Sequence, residues 1–182
     1  MKIISPRRYW AKGFFQCILT TVLAAVTGML FVSVAACSGE KTGDHACDYL
    51  SKDEVEAVMG VAVGEVDRQA ANPLGHSICF FDIPAGMKLR FAQVQMIRSA
   101  WASHEWNAGS LFENDMSYLS DKQEISGVGD KAYWGGSGMK MGAGLHVLKG
   151  DVYFTVDAAS GDEQVDLQKA KELAARVLAN IE

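Results

Sequence analysis

The stretch LHVLKGDVYFTVD, residues 145–157, carries the clearest information about the fold. Two runs rich in valine, leucine, tyrosine and phenylalanine, 145–149 and 152–157, flank the dipeptide Gly150-Asp151. Apolar runs separated by a two-residue turn of this kind predict an antiparallel β-hairpin. A hairpin connection favours an antiparallel sheet, because parallel strands need a longer crossover, usually through a helix.

A second hairpin is predicted around Pro84-Ala85-Gly86, between a buried strand at 77–83 and a longer strand at 87–97. The apolar positions of the longer strand change parity near Ala92 and Gln93. Since successive side chains of a strand point to opposite faces, this change predicts a β-bulge there. Two weaker strands are predicted at 61–67 and from 131 to 134.

Helices are predicted before, between and after these strands. Ser51 and Glu54 have the spacing of a capping box, and Gly60 is a typical helix stop. Residues 99–119 are predicted to be helical in part, with a break at Gly109. Apolar residues at three- and four-residue steps predict an amphipathic final helix; they are Leu167, Ala170, Leu173, Ala174, Val177, Leu178 and Ile181.

The fold class that these elements predict is α+β. We expect an antiparallel sheet of about five to seven strands packed against two or three helices. Residues 135–144 contain five glycines and are predicted to form a loop between strands.

The first 36 residues predict an export signal. Four basic residues and no acid occupy positions 1–12, and residues 13–36 then carry no charge. This apolar run is also long enough for a permanent transmembrane helix, which is the alternative. Residues 6–12, Pro-Arg-Arg-Tyr-Trp-Ala-Lys, resemble a twin-arginine export motif, so the export route stays open.

The end of the apolar run decides between these alternatives. Val34-Ala35-Ala36-Cys37 resembles the lipobox of bacterial lipoproteins. The resemblance implies signal peptidase recognition through Val34, Ala35 and Ala36, cleavage before Cys37, and a diacylglyceryl group, often with a further fatty acid such as palmitate, on Cys37. The predicted organisation is a signal peptide at 1–36, a tether at 37–44 and one domain at 45–182, on a membrane of the cell envelope, facing the periplasm or the exterior.

The charge of the exported part argues against nucleic acid as a partner. Residues 37–182 hold 13 basic and 22 acidic side chains, a net charge of −9. Polyanions and anionic lipid head groups repel such a domain. We therefore expect the membrane to hold it through lipid.

Two cysteines remain after Cys17 leaves with the leader and Cys37 takes the lipid. Because exported domains fold in an oxidising compartment, Cys47 and Cys79 are predicted to form a disulfide. The alternatives are free buried thiols or metal ligands, although the chain has no Cys-x-x-Cys pair and two isolated thiols are too few for a zinc site.

Several short motifs resemble small exported actinobacterial lipoproteins of unknown function. They are Cys47-Asp48-Tyr49-Leu50-Ser51 with Glu54-Val55 and Gly60, Cys79-Phe80, Gly127-Val128-Gly129-Asp130 before Ala132-Tyr133-Trp134, and Lys149-Gly150-Asp151-Val152-Tyr153. The resemblance covers most of residues 37–182. It implies an α+β domain with one disulfide and brings no activity with it.

The sequence offers no catalytic motif that we would assign. Met139, Met141 and His146 are the most suggestive soft-ligand group and could hold copper, but adaptable packing explains methionines more simply. Trp101, Trp106 and Trp134 could line a ligand groove, or could belong to the core. We expect no cofactor apart from the covalent lipid, and no resident metal.

The function that the sequence predicts is a non-enzymatic binding or protein-interaction domain, with the loop at 135–144 and the nearby sheet as its contact surface. The alternatives are a small-molecule or copper carrier and an inhibitor of an envelope enzyme. An enzyme whose site is assembled from distant residues is a further possibility.

Overall fold

The computed structural model of the protein describes residues 43–84, 89–102 and 106–181. The α-helices in these ranges are α1 (Lys52–Met59), α2 (Ala108–Tyr118) and α3 (Glu163–Ala179). The strands are β1 (Val66–Gln69), β2 (His76–Asp82), β3 (Phe91–Arg98), β4 (Gln123–Glu124), β5 (Lys131–Trp134), β6 (Leu145–Lys149) and β7 (Val152–Ala159). Two short 3-10 helices cover Ala46–Asp48 and Ser99–Trp101.

The strands form one antiparallel sheet in the order β1-β2-β3-β7-β6-β5-β4. Both predicted hairpins are confirmed, since β2 pairs with β3 and β6 pairs with β7. At the centre, β3 and β7 pair along their full lengths, from Phe91 opposite Ala159 to Arg98 opposite Val152. The predicted α+β class is therefore correct.

One face of the sheet is covered by α1 and α3. The buried side chains that alternate along the central strands meet those of the helices there; they include Ala92, Val94, Met96, Leu145, Val147, Phe154, Val156, Val55, Met59, Leu173 and Val177. This alternation assigns the residues at the other parity of β3 and β7 to the opposite face of the sheet.

The predicted helix ends are confirmed for α1. Ser51 Oγ accepts from the amide of Glu54, and the Glu54 carboxylate accepts from the amide of Ser51. Gly60 ends the helix in the left-handed conformation, with φ of 74°. A side chain there would be strained, which explains a glycine at this position.

The predicted disulfide is also confirmed. Cys47 in the first 3-10 helix is bonded to Cys79 in β2, with 5.0 Å between the two Cα atoms. It fastens the segment before α1 to a strand of the sheet.

Two details of the prediction are wrong. No bulge interrupts β3, because its pairing with β2 is continuous from Phe91 to Ile97. The apparent parity change arose from Leu89, which lies outside the strand and is exposed, and from Phe91, which packs on the opposite face from Val94.

The predicted break at Gly109 is wrong as well. Asn107 caps α2 by accepting from the amide of Ser110, and Gly109 lies inside the first turn. The weak strand predicted at 61–67 lies further on, at β1, and the two-residue β4 was not predicted.

Val34, Ala35, Ala36 and Cys37 lie outside the described residues, as does most of the predicted tether. Within the described ranges, none of the helices combines the length and apolar character that crossing a bilayer requires.

Candidate functional site

The second face of the sheet is covered only in part. Helix α2 packs on one end of it through Phe112 and Met116, which contact Ile97 and Tyr153 in a small separate core. Phe112 meets the Tyr153 ring edge-on, with 5.4 Å between ring centroids. Beyond α2, the same face borders a cavity.

The cavity has a volume of about 850 Å³. Its floor is the open face of β2, β3, β6 and β7, and its walls are the C-terminal end of α2 and the loop at 135–144. The side chains of the floor are Phe80, Phe91, Gln93, Gln95, His146, Tyr153, Thr155 and Asp157. This volume is in the range of small-molecule binding sites.

Strand register fixes which floor residues are neighbours. Phe80, Gln93 and Asp157 are opposite one another on β2, β3 and β7, so they form one row across the sheet. Gln95, Thr155 and His146 share the next row. Phe91 is the diagonal neighbour of Asp157 and stacks on Phe80 at 5.3 Å between ring centroids. The floor therefore has an aromatic end beside a polar centre.

Asp157 is the most unusual group of the floor. Only 7% of the residue is exposed, and Oδ1 is buried without a hydrogen-bond partner among the residues that the structure describes. Burial is the larger cause that raises the pKa of Asp157 to about 7, and the nearby carboxylate of Asp166 on α3 adds to the effect. The cause is that a low-dielectric site and a like charge both disfavour the ionised form.

A hydrogen-bonded chain joins the two walls to the floor. His146 Nε2 lies 3.1 Å from the carbonyl oxygen of Gly142 in the loop, and Nδ1 lies 2.8 Å from Tyr153 Oη and 3.2 Å from Thr155 Oγ1. Tyr153 Oη donates to Asp115 Oδ2 of α2 over 3.0 Å.

The carbonyl of Gly142 can only accept, so Nε2 of His146 carries a proton. Burial lowers the pKa of His146, against the opposing effects of the Gly142 carbonyl and Asp115, and this favours the neutral ring. In that state Nδ1 is an acceptor, and Thr155 can donate to it, because Tyr153 gives its single hydroxyl proton to Asp115.

The loop at 135–144 is packed tightly against the rest of the cavity wall. A Cβ at Gly135 would collide with the carbonyl of Gly142, and a Cβ at Gly142 would collide with Leu119 at the end of α2. Lys122 Nζ donates to the carbonyls of Met116 and Leu119 and so satisfies two acceptors at the C-terminal end of α2. A side chain at Gly135 is therefore excluded by backbone, whereas one at Gly142 would have to displace the side chain of Leu119.

The rim of the cavity is apolar and exposed. Met139 and Met141 are 82% and 98% exposed, and Tyr118 and Leu89 are also largely exposed. All four line the cavity. Such side chains could cover the apolar part of a ligand.

The charges around the cavity are mainly negative. Of the residues that the structure describes, Asp115, Asp121 and Asp157 line the cavity, and Lys140 is the cationic side chain in its lining. The ammonium of Lys140 forms an ion pair with Glu163 at 3.2 Å. The site therefore favours a neutral or cationic ligand over an anion.

The candidate copper ligands are not assembled into a site. His146 uses both ring nitrogens in protein hydrogen bonds, whereas Met139 and Met141 extend into solvent on the rim. No group of three or more histidine, cysteine, aspartate or glutamate side chains suited to a metal occurs among the residues described. Copper could bind His146 only by displacing one of these hydrogen bonds, and the bond to Gly142 is the one that connects His146 to the loop at 135–144.

The three tryptophans do not meet in a groove. Trp134 packs against the core on the helix-covered face, and Trp101 lies 6.3 Å from Tyr49 between ring centroids. Trp106 is about half exposed. None of the three lines the cavity.

The sequence predicted a contact surface at the loop at 135–144 and the nearby sheet, and the cavity lies beside this loop. Sequence reasoning missed four polar residues of the cavity floor: Gln93, Gln95, Thr155 and Asp157. The sequence does contain a pattern that indicates this polar face. Polar side chains at alternate positions in β3 and β7 face the same way, although the strands are central and otherwise apolar. Polar residues on one parity of a central strand indicate a face left open for water or a ligand.

Comparison with known protein families, curated proteins and solved structures finds no match to this chain. The residues of the cavity are therefore the basis on which a function can be proposed.

Proposed function

We propose that this protein is a non-enzymatic binding domain of the bacterial cell envelope and is tethered to a membrane through lipid on Cys37. In this proposal it binds a small organic ligand in the cavity beside the loop at 135–144. The observation that carries the proposal is the cavity itself, about 850 Å³ in volume, on the face of the sheet that α1 and α3 leave uncovered.

The composition of the cavity supports binding. Amide, hydroxyl and carboxyl groups at the centre of the floor can orient a ligand, and aromatic and aliphatic groups around them can bury its apolar part. A largely apolar lining with a few well-placed polar groups is typical of small-molecule sites. The anchored loop gives the site a fixed wall, which reduces the entropy lost on binding.

The same geometry favours a small ligand over a protein partner. A protein interface needs a broad surface of about 800 Å² on each side, usually with aromatic residues at its centre. Here Phe80, Phe91 and Tyr153 lie on the cavity floor, and Phe91 and Tyr153 are buried. Trp106 and Tyr118 are exposed but belong to different segments of the chain.

Photocrosslinking in intact cells tests where the ligand binds. A photoreactive amino acid replaces Met141 on the rim, and in a matched variant it replaces the exposed Ala175 on the opposite side, in α3. We expect a small-molecule adduct, identified by its added mass, at position 141 and none at 175. Equal labelling at both positions, or no adduct at 141, would contradict a binding site in the cavity.

The lipid anchor needs a separate measurement. We expect the intact mass of the membrane-extracted protein to match a chain that begins at Cys37 and carries acyl groups. Cys37→Ser should abolish both processing and acylation. A species that retains residues 1–36, or a processed chain without fatty acid, would refute the tether.

A further inference from the structure

The cavity floor contains an acceptor that the described part of the chain leaves unsatisfied. Asp157 lines the cavity, is more than nine-tenths buried, and has no hydrogen-bond partner for Oδ1 among the described residues. A buried acceptor without a donor destabilises the fold, and does so more when it is charged. Such an atom in a cavity wall marks where the donor of a ligand would bind.

The surroundings of Asp157 favour a positively charged donor. In the described part of the chain no ion pair joins Asp157 to a cationic side chain, and Lys140 is paired with Glu163. The neighbouring Asp166 adds a second negative charge, and its Oδ1 already accepts from the amide and hydroxyl of Ser160. A neutral donor would leave these charges uncompensated, whereas a cation would neutralise them.

Aromatic rings lie beside the same carboxyl group. Phe91 is the diagonal neighbour of Asp157 across β3 and β7, and Phe80 lies two strands away in the same row. The two rings stack on each other. Aromatic faces attract organic cations through their quadrupole and also bury apolar surface.

We propose that the cavity binds an organic ammonium ion with an apolar body, which donates N–H hydrogen bonds to Asp157 and lays its apolar part on Phe80 and Phe91. This inference rests on the proposed function and names the chemical class of its ligand. The side-chain oxygens of Gln93 and Gln95 provide further acceptors next to Asp157, and the exposed side chains of Met139 and Leu89 lie on the rim.

The test compares three probes with the same phenylbutyl body: 4-phenylbutylammonium, 4-phenylbutanol and 4-phenylbutyrate. The full chain is held in phosphatidylcholine nanodiscs, and retention above empty nanodiscs is measured by equilibrium dialysis at pH 8, where Asp157 is mostly ionised. We expect the ammonium to bind at least about tenfold more tightly than the alcohol, and the carboxylate to bind most weakly, because charged hydrogen bonds are stronger than neutral ones.

Two variants locate the effect. Asp157→Asn should weaken binding of the ammonium at least about tenfold and leave binding of the alcohol within about threefold. Glu172→Gln removes an exposed carboxylate on α3, outside the cavity, and should change binding of the ammonium less than about twofold. Urea denaturation confirms that both variants are folded.

The outcomes separate this inference from the proposed function. Equal affinity for the ammonium and the alcohol, or an equal loss in both variants, would overturn the ammonium ligand. Failure of all three probes to bind, together with a small-molecule adduct at position 141, would also overturn it and leave the binding function standing. Failure of the probes without any adduct at 141 would overturn both.

Discussion

Tyr153 of β7 donates a hydrogen bond from Oη to Oδ2 of Asp115 on α2, over 3.0 Å. The same oxygen lies 2.8 Å from Nδ1 of His146. The other ring nitrogen of His146 donates a hydrogen bond to the carbonyl of Gly142. One buried tyrosine thus links the sheet, the helix and the loop that enclose the cavity. Burial raises the pKa of Tyr153, so the phenol keeps its proton as a donor at neutral pH.

Tyr153→Phe should lower the free energy of unfolding by about 1–3 kcal/mol, because it leaves buried polar groups without their partner. Urea denaturation measures the change. Tyr118→Phe is the control, since Tyr118 is 79% exposed, and it should change stability by no more than about 0.5 kcal/mol. Equal stability of the Tyr153→Phe protein and the wild type would show that these hydrogen bonds do not stabilise the packing of α2 and the loop at 135–144 against the sheet.

Gly142 and Gly138 provide a matched pair in the loop. Both have positive φ, 73° and 75°, so alanine suffers similar backbone strain at either position. An added Cβ meets Leu119 at Gly142 but only open space at Gly138.

We expect Gly142→Ala to cost about 1–3 kcal/mol more than Gly138→Ala, the usual penalty for overpacking. The comparison is made by urea denaturation of the two variants. Equal losses would mean that the contact between the loop and Leu119 contributes nothing to stability.

Asp157 should give the protein an unusual pH dependence. Its pKa is raised to about 7 in the folded state, whereas an ordinary aspartate titrates near 3.8. Between these pH values the folded state binds more protons than the unfolded chain, so the free energy of unfolding should fall as pH rises from about 4 to about 7.

Asp157→Asn removes this loss. The variant should be roughly 4 kcal/mol more stable than the wild type at pH 8 and should match it within about 0.5 kcal/mol at pH 4. Burial lowers the pKa of His76 and His146 in both proteins, so the difference between the two curves isolates Asp157. A difference that is the same at pH 4 and pH 8 would contradict the prediction.

The disulfide should contribute strongly to stability. It closes a loop with a sequence separation of 32 residues, for which the chain-entropy model gives about 3–4 kcal/mol. We expect the double variant Cys47→Ser, Cys79→Ser to lose about that much in urea denaturation. Wild-type protein under reducing conditions should fall to a similar value. A loss below about 1 kcal/mol would show that the unfolded state is restrained in another way.

Sequence patterns predicted the local elements well because their causes are local. The capping box of Ser51 and Glu54, the stop at Gly60 and the turn at Gly150-Asp151 each depend on residues a few positions apart. The Cys47–Cys79 bond followed from there being one remaining pair of thiols. The error over the bulge occurred where apolar side chains lie on both faces of one strand, as Phe91 and Val94 do in β3.

The sequence by itself determined the hairpins, the helices and the antiparallel character of the sheet. Only the tertiary structure decided that β7 pairs with β3, some 60 residues away, which places Asp157 next to Gln93 and near Phe80. The physical reason is that alternation along a strand defines two faces but not what covers them. Helices α1 and α3 fill one face, whereas α2 alone covers only part of the other, so the cavity exists because of how the elements pack.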